Sequence, residues 1–85
     1  MPYHFYILYS LSLDRYYYGH TENVEERLRR HNSNHKGFTG KSADWDVVFI
    51  EDFPTKELAY ARERQIKGWK SRKRIEELIS RSQSK

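Results

Sequence analysis

A guanidinium on the inward side of a helix is a cation in need of an anion, and the spacing of this 85-residue sequence places one there. Asn23 followed by Glu26 has the form of a capping box, so a helix is predicted from Val24 to about Asn34. With Val24 at zero and about 100° per residue, Arg27 falls at about −60°, His31 at about −20° and Leu28 at about +40°. Arg27 and His31 thus share the apolar stripe, whereas Arg29 and Arg30 lie opposite. A cation directed inward calls for a partner or an anionic ligand. Further along the chain, Glu63 lies at the flank of a second helix's apolar face, and Lys67 follows at the i+4 spacing of an ion pair. Two other patterns carry less. His31 and His35 have the spacing of helical zinc ligands, but Asn32 stands where a zinc protease has its glutamate, and the chain has no cysteine. Gly40-Lys41-Ser42 ends like a phosphate-binding loop, yet the first glycine of that motif would fall at His35, outside any strand–loop–helix frame. No nucleotide cofactor is expected.

The elements that must position these groups follow from hydrophobic periodicity. Tyr3 to Ser10 and Arg15 to Thr21 are rich in aromatic and β-branched residues and read as two antiparallel strands joined by Leu11-Ser12-Leu13-Asp14. In the first, Tyr3, Phe5, Ile7 and Tyr9 share one face and His4, Tyr6, Leu8 and Ser10 the other, so a central strand covered on both sides is predicted. A turn centred near Ser12 brings Tyr6 within a residue or so of Tyr17. After the glycine-rich and polar stretch from His35 to Asp44, Trp45 to Phe53 reads as a third strand. Thr55 caps a second helix whose buried side is predicted to be Leu58, Ala59, Ala61, Ile66 and Trp69, with Gly68 near its end. Ser71 caps a third helix carrying Ile75, Leu78 and Ile79. The expected architecture is one α+β domain over residues 1–82, a small three-stranded antiparallel sheet flanked by helices in the order β-β-α-β-α-α, with a polar tail at 83–85.

Composition narrows the partners. Without cysteine the domain has neither disulfide nor thiolate, and with no apolar run of membrane-spanning length and no signal-peptide start, a cytoplasmic protein is expected. The formal charge of +4 is unevenly spread. Residues 1–59 hold seven Lys/Arg against nine Asp/Glu, and residues 60–85 hold nine against three, a local excess of +6. A basic end of this kind suits phosphate backbones, and Lys67 and Lys70 lie within it.

With the elements in place, Phe5-Tyr6-Ile7 and Tyr17-Tyr18-Gly19 on paired strands resemble the two elements that name the GIY-YIG nuclease family. Phe5 replaces the first glycine, and Tyr18 the second isoleucine. Asn-Val-Glu-Glu-Arg-Leu-Arg-Arg-His-Asn from position 23, Phe53-Pro54-Thr55, and Ala-Arg-Glu-Arg-Gln-Ile-Lys-Gly-Trp from 61 continue the likeness in order and spacing. The match is closest to the short stand-alone bacterial members, the UPF0213-like proteins. The resemblance implies that Tyr6 and Tyr17 position and deprotonate the attacking water, that Arg27 contacts the scissile phosphate, and that Glu63 holds a divalent metal, Mg²⁺ or Mn²⁺. It gives His31 the place of a second acid/base or phosphate contact. His20 takes a place where some relatives carry a lysine, so it would donate to phosphate or cap the strand, and Gly19 a place of close approach to the strand. One departure is the absence of an asparagine after the glutamate, where positions 73–77 read Lys-Arg-Ile-Glu-Glu. Deprotonating an ordinary tyrosine at pH 7 costs about 4 kcal/mol, so a cation or concerted transfer must lower that cost. The expected function is metal-dependent hydrolysis of phosphodiester bonds in nucleic acid, DNA above all. The alternative is a nucleic-acid-binding or repair accessory domain with little turnover. No separate recognition domain is expected, so a protein partner could supply specificity.

Overall fold

The computed structural model describes residues 2–33 and 44–83. The elements in chain order are β1 (Tyr3–Ser10), β2 (Arg15–Thr21), α1 (Val24–Ser33), β3 (Trp45–Phe53), α2 (Lys56–Trp69) and α3 (Arg72–Gln83). The α+β architecture is the expected one, with α3 running to Gln83. The stretch 34–43 lies outside the described residues, and with it the predicted helix end at Asn34, His35 as a zinc partner, and Gly40-Lys41-Ser42.

The sheet order is β2-β1-β3, with both pairings antiparallel. The continuously apolar β1 is therefore central, and Phe5, Tyr6, Ile7 and Leu8 are all buried. On one face Phe5 and Ile7 pack with Ile66 of α2 and Ile75 and Ile79 of α3. On the other, Tyr6, Leu8 and Trp45 pack with Tyr17 of β2 and Val24 and Leu28 of α1. Two thin cores thus share one strand, as expected of so short a chain. Opposite β1, the β3 ladder pairs Ile7 with Phe49 but Leu8 with Val47, so Val48 is the extra residue of a bulge.

Local chemistry fixes the helix ends. The Glu26 amide donates to Asn23 Oδ1 at 3.1 Å, the Leu58 amide to Thr55 Oγ1 at 3.2 Å, and the Arg74 amide to Ser71 Oγ at 3.3 Å. One prediction for α2 is corrected: Leu58 and Ala61 are exposed, because the buried stripe runs through Ala59, Glu63 and Ile66. Gly68 lies near the helix end as expected, Trp69 is the last helical residue, and the left-handed cap that follows is Lys70, with φ of 50°.

Candidate active site

Tyr6 lies directly opposite Gly19, and Tyr17 opposite Leu8, so the two tyrosines are offset by two positions rather than one. An offset of two preserves the face, and the rings remain diagonal neighbours with centroids 6.5 Å apart. The Tyr6 side chain lies across the Gly19 backbone. A Cβ at position 19 would stand 2.5 Å from the Tyr6 hydroxyl and 2.7 Å from Cζ, so glycine is required by the phenol itself. Tyr6 is only 1 % exposed. Burial pushes its pKa up to about 12, nearby Tyr17 and Glu63 act in the same direction, and Arg27 opposes them.

From α1 come His31 and Arg27. The His31 ring is buried 4.4 Å from that of Tyr17 and 6.2 Å from that of Trp45, centroid to centroid. Its pKa is lowered, first by burial and then by the Arg27 charge, so the imidazole is favoured in its neutral form. Its Nε2 is buried without a hydrogen-bond partner among the described residues. Arg27 differs from its expectation: the side chain is exposed, not turned into the core. The packed stripe is centred on Val24, Leu28 and His31, and about 60° of offset puts Arg27 on the helix shoulder. From there its charge still reaches both Tyr6 and His31.

Glu63 is also not where its helical angle suggested. Rather than flanking the buried side of α2, it lies within it, 8 % exposed. A carboxylate so placed needs compensation, and it has two partners. His20 Nδ1 stands 2.6 Å from Oε1, and the Lys67 ammonium donates to Oε2 at 2.7 Å. His20, expected to face a phosphate or cap the strand, thus turns to α2 because residues 16, 18 and 20 of β2 alternate onto that face. Lys67 forms the predicted ion pair. Lys70 is exposed in its left-handed cap.

Two contributors lacked a sequence signal strong enough to find them. Asn32, the last residue of the run from position 23 and given no role there, accepts from the Trp45 amide at 2.8 Å and donates to the Trp45 carbonyl at 3.0 Å, holding α1 to β3. Tyr60 places its ring 5.1 Å from the His20 ring, beside Glu63's partner.

Among the described residues no group of three or more His, Asp or Glu side chains is gathered as a metal cage. A hard cation such as Mg²⁺ or Mn²⁺ keeps most of its waters and needs as little as one carboxylate. Glu63 would be the carboxylate for such an ion, and the Lys67 side chain on its Oε2 is half-exposed. No helix among the described residues is long and apolar enough to cross a membrane.

Comparison with known proteins places the chain in a family. Residues 2–76 match the model of the GIY-YIG catalytic domain. The chain is 32 % identical over 73 residues to the UPF0213 protein HQ_3675A of Haloquadratum walsbyi, covering 85 % of this chain and 82 % of that one. It is similar in structure to the UPF0213 protein BH0048 from Bacillus halodurans, solved by solution NMR, with a TM-score of 0.58 at 28 % identity, over 94 % of this chain and 84 % of the other. With nearly the whole chain matched and the two tyrosine strands, α1 and Glu63 in one domain, the protein belongs to the GIY-YIG family of nucleases as a short, UPF0213-like member.

Proposed function

We propose that this protein is a metal-dependent endonuclease that hydrolyses phosphodiester bonds of nucleic acid, with DNA as its substrate. Support comes chiefly from one observation: the buried Tyr6 hydroxyl lies within electrostatic reach of Tyr17, Arg27 and Glu63, which arrive from three different elements. Nucleases of the family generally use divalent metal ions, and Glu63 is the side chain that would hold one here. When bound, such an ion would neutralise charge building on the phosphate and acidify a coordinated water.

The two tyrosines then divide the work. At a pKa of about 12, ionising Tyr6 at pH 7 costs roughly 7 kcal/mol, so it stays protonated and orients the nucleophile by donating a hydrogen bond. Tyr17, half-buried beside it, would take the proton from water as the phenolate, its own phenolic proton having first passed to bulk solvent. Neutral His31 backs the Tyr17 ring, its buried Nε2 without a hydrogen-bond partner among the described residues. Arg27, exposed on its shoulder, contacts the phosphate that has entered. Pure protein incubated with single-stranded, duplex and branched DNA and Mg²⁺ or Mn²⁺ tests the reading. Cleavage is expected from the wild type and not from Glu63→Ala; equal cutting by both would assign the activity to a contaminant.

A second reading has its own observation. Both Glu63 oxygens are already engaged by His20 and Lys67, which suits a carboxylate retained for structure in a nucleic-acid-binding accessory domain. Oligonucleotide binding that survives Tyr17→Phe and Arg27→Ala, without cleavage under any metal, would favour it.

A further inference from the structure

A cleft of about 350 Å³ opens on the α2 and α3 side of β2, away from the tyrosine pair. Four cationic residues line it, Arg15, Lys67, Lys70 and Arg72, against the single carboxylate of Asp14. Tyr16 and Tyr18 complete one wall. The cleft abuts the site already described: Lys67 reaches from it to Glu63, and Tyr18 lies on the same strand face as His20, the other partner of Glu63.

Backbone conformation gives an independent observation. Among the described residues only two that are not glycine have positive φ, Asp14 at 52° and Lys70 at 50°, and both line this cleft. Aspartate in a hairpin turn tolerates that region readily. A lysine after a helix does not, since glycine is the usual residue there. Strained residues of this kind gather where side chains are used. The cations also differ in their commitments. Arg72 is bound to Asp14 and Glu76, and Lys67 to Glu63, whereas Lys70 forms no ion pair among the described residues.

We propose that this cleft holds a backbone phosphate of the bound strand, one that flanks the phosphodiester at Glu63, with Lys70 and Arg15 as its contacts and Lys67 bridging the two positions. The inference rests on the nucleic-acid reading above and adds a register to it: the strand would leave the tyrosine pair around the β2 edge toward the start of α3.

Lys70→Gly is the informative variant, because it removes the cation while relieving the left-handed backbone. Binding of a labelled single-stranded oligonucleotide and of its duplex is measured by fluorescence anisotropy against salt, in EDTA so that nothing is cut. Expected are roughly fivefold weaker binding by Lys70→Gly, a salt slope shallower by about one, and a melting temperature equal to or above that of the wild type. Lys73→Ala, on the exposed side of α3, serves as the control and should keep the wild-type slope. Wild-type affinity and slope in Lys70→Gly, or an equal loss in Lys73→Ala, would overturn the cleft while leaving nucleic-acid binding intact. A wild type that binds neither oligonucleotide would remove the parent reading and the cleft with it. Nuclear magnetic resonance distinguishes the source of the phosphate: the amides of Lys70, Ser71 and Arg72 should shift with oligonucleotide and not with inorganic phosphate. Equal shifts with inorganic phosphate would make this a free-anion site and overturn the assignment to a strand.

Discussion

Tyr6 and Tyr17 carry the same phenol in different surroundings, and their expected roles differ accordingly. Tyr6 is sealed against Gly19, so its hydroxyl can orient a water but resists ionisation. Tyr17→Phe is expected to reduce metal-dependent cleavage by about 100-fold or more, the range of a lost general base, and Tyr6→Phe by about tenfold. Single-turnover rates of the two variants check this; a larger loss in Tyr6→Phe would reverse the assignment. His31 makes a prediction about stability. Its folded-state pKa is held below the ordinary value of 6.5, so the unfolded chain takes up its proton first as pH falls. Stability from this group is therefore fully present above about pH 6.5 and is lost progressively toward the lower folded pKa. Thermal melts between about pH 7.5 and pH 5 should fall on the acid side for the wild type, and more shallowly for His31→Phe. The residue types at these positions were readable in the sequence. Their burial was not: helical angle alone turned Arg27 inward, whereas the packed stripe leaves it exposed and seats His31 beneath Tyr17.

At the scale of elements, the position of α1 depends on Asn32. Its amide hydrogen-bonds both backbone groups of Trp45. Asn32→Ala should destabilise the protein by about 2 kcal/mol, the cost of losing two hydrogen bonds, as measured by urea unfolding. An unchanged midpoint would mean that Val24 and Leu28 alone hold the helix. Helix α2 shows the opposite balance. Glu63 interrupts an apolar stripe between Ala59 and Ile66, and its two partners are accessible enough to return to water. Glu63→Leu is thus expected to fold with equal or greater stability while losing Mn²⁺ binding and cleavage, since burying a leucine costs less than burying an ion pair. Marked destabilisation would give the ion pair a structural role instead. Caps at Asn23, Thr55 and Ser71 were legible because a capping oxygen acts within one turn of chain. The left-handed cap of α2 was not, because it fell on Lys70 rather than on a glycine, where the chain departs toward α3.

On the scale of the whole molecule, one continuously apolar strand serves two cores, and the helices on its two faces deliver different parts of the site. Helix α1 brings Arg27 and His31 to the tyrosine face, and α2 brings Glu63 from the other side, and the charges of Arg27 and Glu63 both reach Tyr6. The excess charge of +6 in residues 60–85 belongs to α2 and α3, so nucleic acid is expected to bind with a strong salt dependence. With about three phosphates contacted, affinity should fall roughly thirtyfold between about 50 and 200 mM salt, as followed by anisotropy. A flat response would point to a protein partner rather than a strand. What the sequence determined by itself was whatever acts over short separations: strand and helix periodicity, caps, the ion pair of Glu63 with Lys67, and the order of the family's residues. Only the tertiary structure decided the two-residue offset of the tyrosines, the exposure of Arg27, the pairing of His20 with Glu63, and the cleft beyond it. Each of these depends on how distant elements pack against one sheet, and packing contacts leave no period in the chain.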